Sequence, residues 1–442
     1  MKKTSRTDCK AHWKKTIVTC MLMAGCGFML EGMPGATEAA YQDSKHSPAQ
    51  MPAPKTILTL NLDDAVTLAM EKQPAIAAAR ASRNAAFTAR EAAYAPFTIL
   101  AGPQIATRRK QADLAVQISE ANVQQVELET INAVTRSYIS VLYAREQSGI
   151  AQDTLDVIKV TRNAAKTLVD KGSKEVTKTD LDRLDTYILI AETKLGEART
   201  GVIRAKAALR EAIGLDRCTE FEIGNEKLSH LHDAFVDYGN KKNMKLSCKK
   251  AVCLAVDKRP ELVQASLLAQ ITGLESRAQG WTLSPYARTF AATGDIHTRI
   301  LPATVINGEY KPGPVGPEMP SFLAGSRTSR QQRANLFYER ALTVSDKAEN
   351  LVALEVEEAC ARLTEQINQV KMLLEATKKS KRLSEDAMKI YIEDQLSTEK
   401  LLAIQLLDAQ TRAQLNEAYY KFGQALGLLQ RATAGQLWSC FE

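Results

Sequence analysis

A chain of 442 residues ordinarily holds about two to four compact domains, but 6% aromatics against a predominance of Ala, Leu, Glu, Lys, Arg and Gln exclude conventional cores in favour of long helices. The formal charge of +7 is concentrated at the start, where Lys2, Lys3, Arg6, Lys10, Lys14 and Lys15 against Asp8 put +5 into the first 25 residues. The remaining charge, about +2, is mixed in sign with no basic stripe between aromatics, so no nucleic acid is expected as a partner.

The basic N-terminus precedes an apolar run from Thr16 to Ala24, which has the form of an export signal, and residues 1–40 are read as that segment. Two endings fit it. Met23-Ala24-Gly25-Cys26 resembles a bacterial lipobox, in which Cys26 is the lipidation candidate; alternatively the apolar run continues to Leu30 and cleavage falls near Thr37-Glu38-Ala39. No later stretch offers about 18 consecutive apolar residues, so no transmembrane helix is expected. Residues 41–58, with Pro48, Pro52 and Pro54 among polar residues, read as a flexible leader.

A duplicated pattern then organises the chain. Ala65, Val66, Leu68, Ala69, Lys72 and Pro74 return as Ala251, Val252, Leu254, Ala255, Lys258 and Pro260. The first copy opens a repeat over 59–215. Asn61 is a candidate N-cap with Asp63 and Asp64 in the first turn, and Pro74 breaks the helix. An Ala-rich helix follows to about Ala95. After a break from Tyr94 to Pro103, a long helix is predicted from about Arg108 to Asp170. Its Val116, Val123, Val126, Thr130, Val134, Ser137, Val141 and Ala144 recur at three, four and seven, which is a coiled-coil seam. Lys171 to Lys174 break it, and a return helix capped at Thr179-Asp180 is expected through Ala212.

Residues 216–249 read as a connector of polar turns. The second repeat, 250–434, has a helix from Cys248 to Gln279 interrupted at Pro260, an insert over 284–326, a long helix from about Arg330 to Ile392, a turn at Glu393 to Ser397 and a return helix to about Arg431. Residues 435–442 are a tail. The fold class is therefore mainly α, a two-fold internal repeat of very long antiparallel coiled-coil helices. Cys218, Cys248, Cys253, Cys360 and Cys440 have no metal-ligand spacing; they are expected to be isolated buried thiols, with a Cys218–Cys248 link as the alternative in an oxidising compartment. His12, His46, His230, His232 and His297 show neither triad nor ligand spacing, so no catalysis, metal or cofactor is expected.

The duplicated helix start, the stretch Tyr138 to Gln147, Leu406 to Gln410 and Tyr420 to Leu429 together resemble the outer-membrane efflux factor (TolC) family over about residues 58–434. That resemblance implies an exported homotrimer whose long helices form an α-barrel across the periplasm, with β-hairpins closing a barrel in the outer membrane. It implies a passive duct serving a periplasmic adaptor and an inner-membrane pump, with outer-membrane lipid as surroundings. It also implies that the helix–helix turns form the periplasmic tip, an adaptor contact with an acid-lined aperture. By match to those turns the tip residues are Gly172, Thr177 and Asp180, with Asp182 beside them, and Asp394, Ser397 and Glu399. Asp394 stands where Gly is usual and Lys400 where an acid is usual; Asp180 and Ser397 are explained equally by helix capping.

The two breaks are unequal. Measured from Pro74 to Glu146 and from Pro260 to Glu365, the second half is longer by about 33 residues. A membrane strand needs about 9–11 residues and a hairpin needs two, so the first break is too short for one. In the second, Tyr286 to Thr293 and Ile296 to Ile306 are expected to pair, while the four prolines between Lys311 and Pro320 exclude a ladder strand there. A reduced β-hairpin region follows. Tyr138, Tyr143 and Phe422 are expected to pack in the seam, and Arg108, Arg109 and Lys110 to face solvent or the anionic membrane surface.

Overall fold

Two helices of equal length run through the described residues. The computed structural model describes residues 58–96, 102, 104–173, 175–242, 246–290 and 319–440; the expected export signal, Cys26 and the leader up to residue 57 lie outside them. The first repeat holds β1 (Leu58–Leu60), α1 (Leu62–Lys72), α2 (Pro74–Tyr94), α3 (Ile105–Asp170) and α4 (Lys178–Ile213). Then come β2 (Phe221–Ile223) and α5 (Leu228–Lys242). The second repeat holds α6 (Cys248–Lys258), α7 (Pro260–Trp281), β3 (Tyr286–Arg288), β4 (Phe322–Ala324), α8 (Arg327–Ile392) and α9 (Thr398–Ala432). With 66 residues each, α3 and α8 are about 100 Å long. No described helix is long and apolar enough to cross a membrane.

Pairs α3/α4 and α8/α9 form helical hairpins, and α9 also lies against α3, so one end of the protein has the order α4–α3–α9–α8. Toward the other end the order becomes α2–α3–α7–α8. Thus α2 continues the path of α4 along one flank of α3, and α7 continues that of α9 in the slot between α3 and α8. The expected seam on α3 is where the burial falls: Val116, Val123, Thr130, Val134 and Val141 are buried, and Val126, Ser137 and Ala144 half-buried. The small residues of the duplicated pattern have a packing reason. Ala65, Ala69, Ala251 and Ala255 are wholly buried where α1 and α6 abut the long helices, and a larger side chain there would hold the helices apart.

The two proline-marked junctions are built differently. Asn61 caps α1, its side chain accepting the Asp64 N–H at 2.8 Å, and Pro74 takes the first position of α2, where a missing N–H is harmless. Between them, Gln73 donates to the final carbonyls of α4, Glu211 O and Ala212 O, at 3.2 and 2.9 Å. In the second repeat the equivalent Arg259 is buried. It binds Glu261 at 2.9 Å and Glu355, while Arg431 near the end of α9 binds Glu355 at 2.7 Å. Each junction therefore ties a return helix to the helix that continues its path, with an amide in one half and an ion cluster in the other.

The connector is more ordered than its polar sequence suggests. Phe221–Ile223 pairs in parallel with Leu58–Leu60, Leu58 opposite Phe221, and α5 packs on α9. Two side chains of α3 hold this segment: Tyr138 donates to Glu226 at 2.8 Å, and Glu146 accepts the Leu228 N–H at 2.8 Å. Burial foremost, and then the bond to Glu226, pushes the Tyr138 hydroxyl up. In the second break, Tyr286–Arg288 takes Phe322–Ala324 as its antiparallel partner, Ala287 opposite Leu323. Residues 291–318, which include the expected strand Ile296 to Ile306 and most of the proline run, lie outside the described residues. The cysteine expectation is corrected in part: Cys360 and Cys440 are buried, but Cys218, Cys248 and Cys253 are exposed, and all five are free thiols.

Candidate functional site: the paired turns

Both long helices end in the same way. At the end of α3, Gly172 has φ +77° and donates to Val169 O at 3.0 Å, and Ser173 N–H reaches back to Leu168 O at 3.0 Å. At the end of α8, Asp394 has φ +61°, donates to Tyr391 O at 3.0 Å, and Gln395 N–H reaches Ile390 O at 3.2 Å. This is the left-handed helix stop that glycine favours, and Asp394 adopts it with a side chain in place. The chain accepts that conformation because the carboxylate is used. Ser173 Oγ donates to Asp394 Oδ1 at 2.6 Å, bonding the two turns to each other. The same Ser173 oxygen accepts the Glu175 and Val176 N–H groups, both at 3.1 Å, which folds the first turn around it.

The return helices start from these turns. Thr177, not Thr179, is the N-cap of α4, and the Asp180 carboxylate accepts both its N–H, at 2.9 Å, and its hydroxyl, at 2.8 Å. Asp180 is thereby committed to capping geometry while remaining half-exposed. Asp182 is exposed beside it. Ser397 takes the N-cap position of α9 but makes no side-chain cap bond. Glu399 instead pairs across the turns with Arg183 at 3.6 Å, an exposed contact of small energetic value. Beneath the surface Leu168, Val176, Leu184, Tyr391, Leu401 and Leu402 form a small core joining both hairpins. Tyr391, pushed up by burial, shares a hydrogen bond with Thr398 at 3.0 Å.

All seven expected tip residues thus lie on two turns that touch or among the first residues of the helices that leave them. Ser173 and Arg183, which make the cross-turn bonds, were not singled out by sequence reading. The Gly172-Ser173 pair is a turn signal, but nothing local to it points to a residue 221 positions away. The remaining candidates are structural: Tyr138 and Phe422 are buried, Tyr143 stacks on Tyr420 with ring centroids 4.7 Å apart, and His232 packs edge-on against Tyr419 and Phe422. Among the described residues no group of three or more His, Cys, Asp or Glu is placed to hold a metal ion.

No family model matches the chain, and no curated protein matches it. Solved structures do. The outer-membrane channel OprN superposes with a TM-score of 0.63 over 85% of this chain and 90% of its own, at 14% identity. The CmeC outer-membrane channel of Campylobacter jejuni gives 0.60, covering 85% of each chain at 13% identity. The open state of the MtrE outer-membrane channel of Neisseria gonorrhoeae gives 0.62, covering 85% of this chain and 89% of its own at 15% identity. The chain has the helical-barrel protomer fold of the TolC-type outer-membrane channels, the fold that its own sequence motifs resemble.

Proposed function

We propose that the protein is the outer-membrane duct of a tripartite efflux or secretion system, a passive conduit that catalyses no reaction. One observation carries the reading: the fold match to outer-membrane channels runs through 85% of the chain. In this reading the chain is a homotrimer in the outer membrane that projects into the periplasm. Exposed Leu189 and Ile203 on one face of α4 and Met372 and Leu383 on one face of α8 are apolar positions that neighbouring copies would cover. The paired turns are the periplasmic tip that meets the adaptor and, through it, the inner-membrane pump. Residues 1–40 direct export, with Cys26 as the lipid attachment point, followed by the leader 41–58, repeats 59–215 and 250–434 around connector 216–249, insert 284–326 and tail 435–442.

A second reading has a specific observation behind it. Only residues 95–104 separate α2 from α3, too few for two membrane strands, which favours a non-conducting periplasmic helical scaffold lipoprotein of the same fold with a degenerate β-barrel. Planar-bilayer recording separates the two. Large, discrete single-channel currents from the purified protein are expected of a duct, and silent bilayers containing correctly assembled protein leave the scaffold. In the same recordings, joint substitution Asp180→Asn and Asp182→Asn raises the leak current if these carboxylates line the aperture; an unchanged current leaves Asp180 with capping alone.

A further inference from the structure

The end of the protein opposite the turns carries a surface of another kind. Four stretches meet there: the end of α2, the start of α3, the end of α7 with β3, and β4 with the start of α8. Polar contacts, most of them half-buried, lock them together. Arg108 binds Glu275 at 2.5 Å and Arg288 O at 3.0 Å, Arg330 donates to Gln279 at 3.1 Å and to Thr282 O at 2.6 Å, and Arg109 donates to Ala93 O at 3.1 Å. Arg108 and Arg109, expected to face outward, therefore act inward as ties, and of that basic triplet Lys110 alone is exposed.

On the outside of this frame, large apolar and aromatic residues stand in solvent. Leu283 is 90% exposed, Tyr286 70%, Trp281 51%, Phe322 50% and Tyr94 44%. Exposed cations stand on the same four stretches: Lys110, Arg277, Arg288 and Arg327, with Arg90 paired to Asp113 at 2.5 Å. Over residues 80–94, 105–115, 270–290 and 319–340 the exposed carboxylates are Glu91 and Glu339 alone. Arginine and ring are also paired directly. Arg90 and Arg109 lie 5.2 and 5.0 Å from the Tyr94 ring centre, and Arg288 lies 5.6 Å from that of Phe322. Trp and Tyr with an apolar body and a polar tip, interleaved with snorkelling Arg, match the depth profile of a bilayer's headgroup layer. Guanidinium predominates over ammonium here, and its fork suits phosphate oxygens.

We propose that this end is a collar that seats on a membrane surface and binds the phosphate groups of anionic lipids through Arg277, Arg288 and Arg327, with Trp281 and Tyr286 entering the interface. The proposal rests on the outer-membrane reading for its orientation, while the chemistry is that of the collar itself. The test uses the full-length protein and vesicles of phosphatidylcholine alone or mixed with phosphatidylglycerol, with bound fraction measured by flotation. The parent protein prefers the anionic vesicles, and raising salt erodes that preference. Joint Arg277→Gln, Arg288→Gln and Arg327→Gln substitution lowers affinity for the anionic vesicles by roughly tenfold or more and leaves neutral vesicles unaffected. Trp281→Ala with Tyr286→Ala weakens binding to both. A triple variant that keeps the parent's lipid preference overturns the collar, as does one that changes only the oligomer mass by light scattering, which would make this surface an interface between copies. If the triple variant melts early, the salt series on the parent decides: a preference unmoved by salt overturns the proposal. A protein that shows the lipid preference but passes no current retains the collar and loses the duct.

Discussion

Asp394 holds a left-handed backbone that an aspartate accepts more readily than most residues, and its carboxylate spans to Ser173 at 2.6 Å. Two effects therefore meet at one residue and can be separated by substitution. Asp394→Ala loses the bond and keeps the strained backbone, for an expected loss of about 1–2 kcal/mol in chemical denaturation. Asp394→Asn keeps an acceptor and the backbone tolerance, and falls within about 0.5 kcal/mol of the parent. Combining Ser173→Ala with Asp394→Ala costs less than the sum of the two single losses if the cross-turn bond is the shared interaction, whereas full additivity would deny it. At the far end of α7, Glu275 shows the opposite balance of burial and pairing. Burial alone would push its carboxyl up, but the Arg108 guanidinium and hydrogen bonds from Gln279 and Gln111 outweigh it and hold the group below the usual carboxylate range. A folded-state value below the unfolded one contributes stability that is complete above the unfolded value and drains away as pH falls through the folded value. Glu275→Gln should therefore cost about 3 kcal/mol near neutrality, by stranding Arg108, and flatten the acid limb of a stability–pH profile. An acid limb identical to the parent's would show that Glu275 is not what acid titrates.

At the scale of elements, the junctions matter more than the rods. Gly214 ends α4 with φ +80°, and a Cβ there would sit 2.9 Å from Lys72 O and 3.0 Å from Gln73 Cα, backbone that cannot step aside. Gly214→Ala is expected to lower stability by about 1–3 kcal/mol. Gly196, exposed inside α4 with open space around it, gives the contrary result: Gly196→Ala should raise stability by roughly 0.5–1 kcal/mol, both read from melting curves. These elements also show where sequence reading succeeds and stops. Asn61, Pro74, Pro260 and the αL stop at Gly172 act through neighbours one to four residues away, so their roles are visible in a local window. The strands β1 and β2 are three residues each, too short to display alternation, and pair across more than 160 positions. Likewise Arg259 reads as an ordinary surface residue before a proline until α8 brings Glu355 to it from 96 positions away. What escaped was contact between distant segments, in the connector, the ion cluster and the Ser173–Asp394 bond alike.

For the protein as a whole, burial and charge change character from one end to the other. The turn end is tied by cross-repeat bonds over a small apolar core, and the opposite end shows exposed rings among arginines over a polar lock. The sequence taken linearly conceals this, since cations spread from Arg90 to Arg327 come to one end only after α2, α3, α7 and α8 align. The equal 66-residue spans of α3 and α8 carry one further consequence. Deleting one residue from either would retract its turn by about 1.5 Å and swing it by about 100°. Ser173 would then no longer meet Asp394. The two rods thus act as matched rulers, and tolerated indels in the lineage of this gene should come as equal, near-simultaneous changes in both arms, in seven-residue steps that keep the seam in phase.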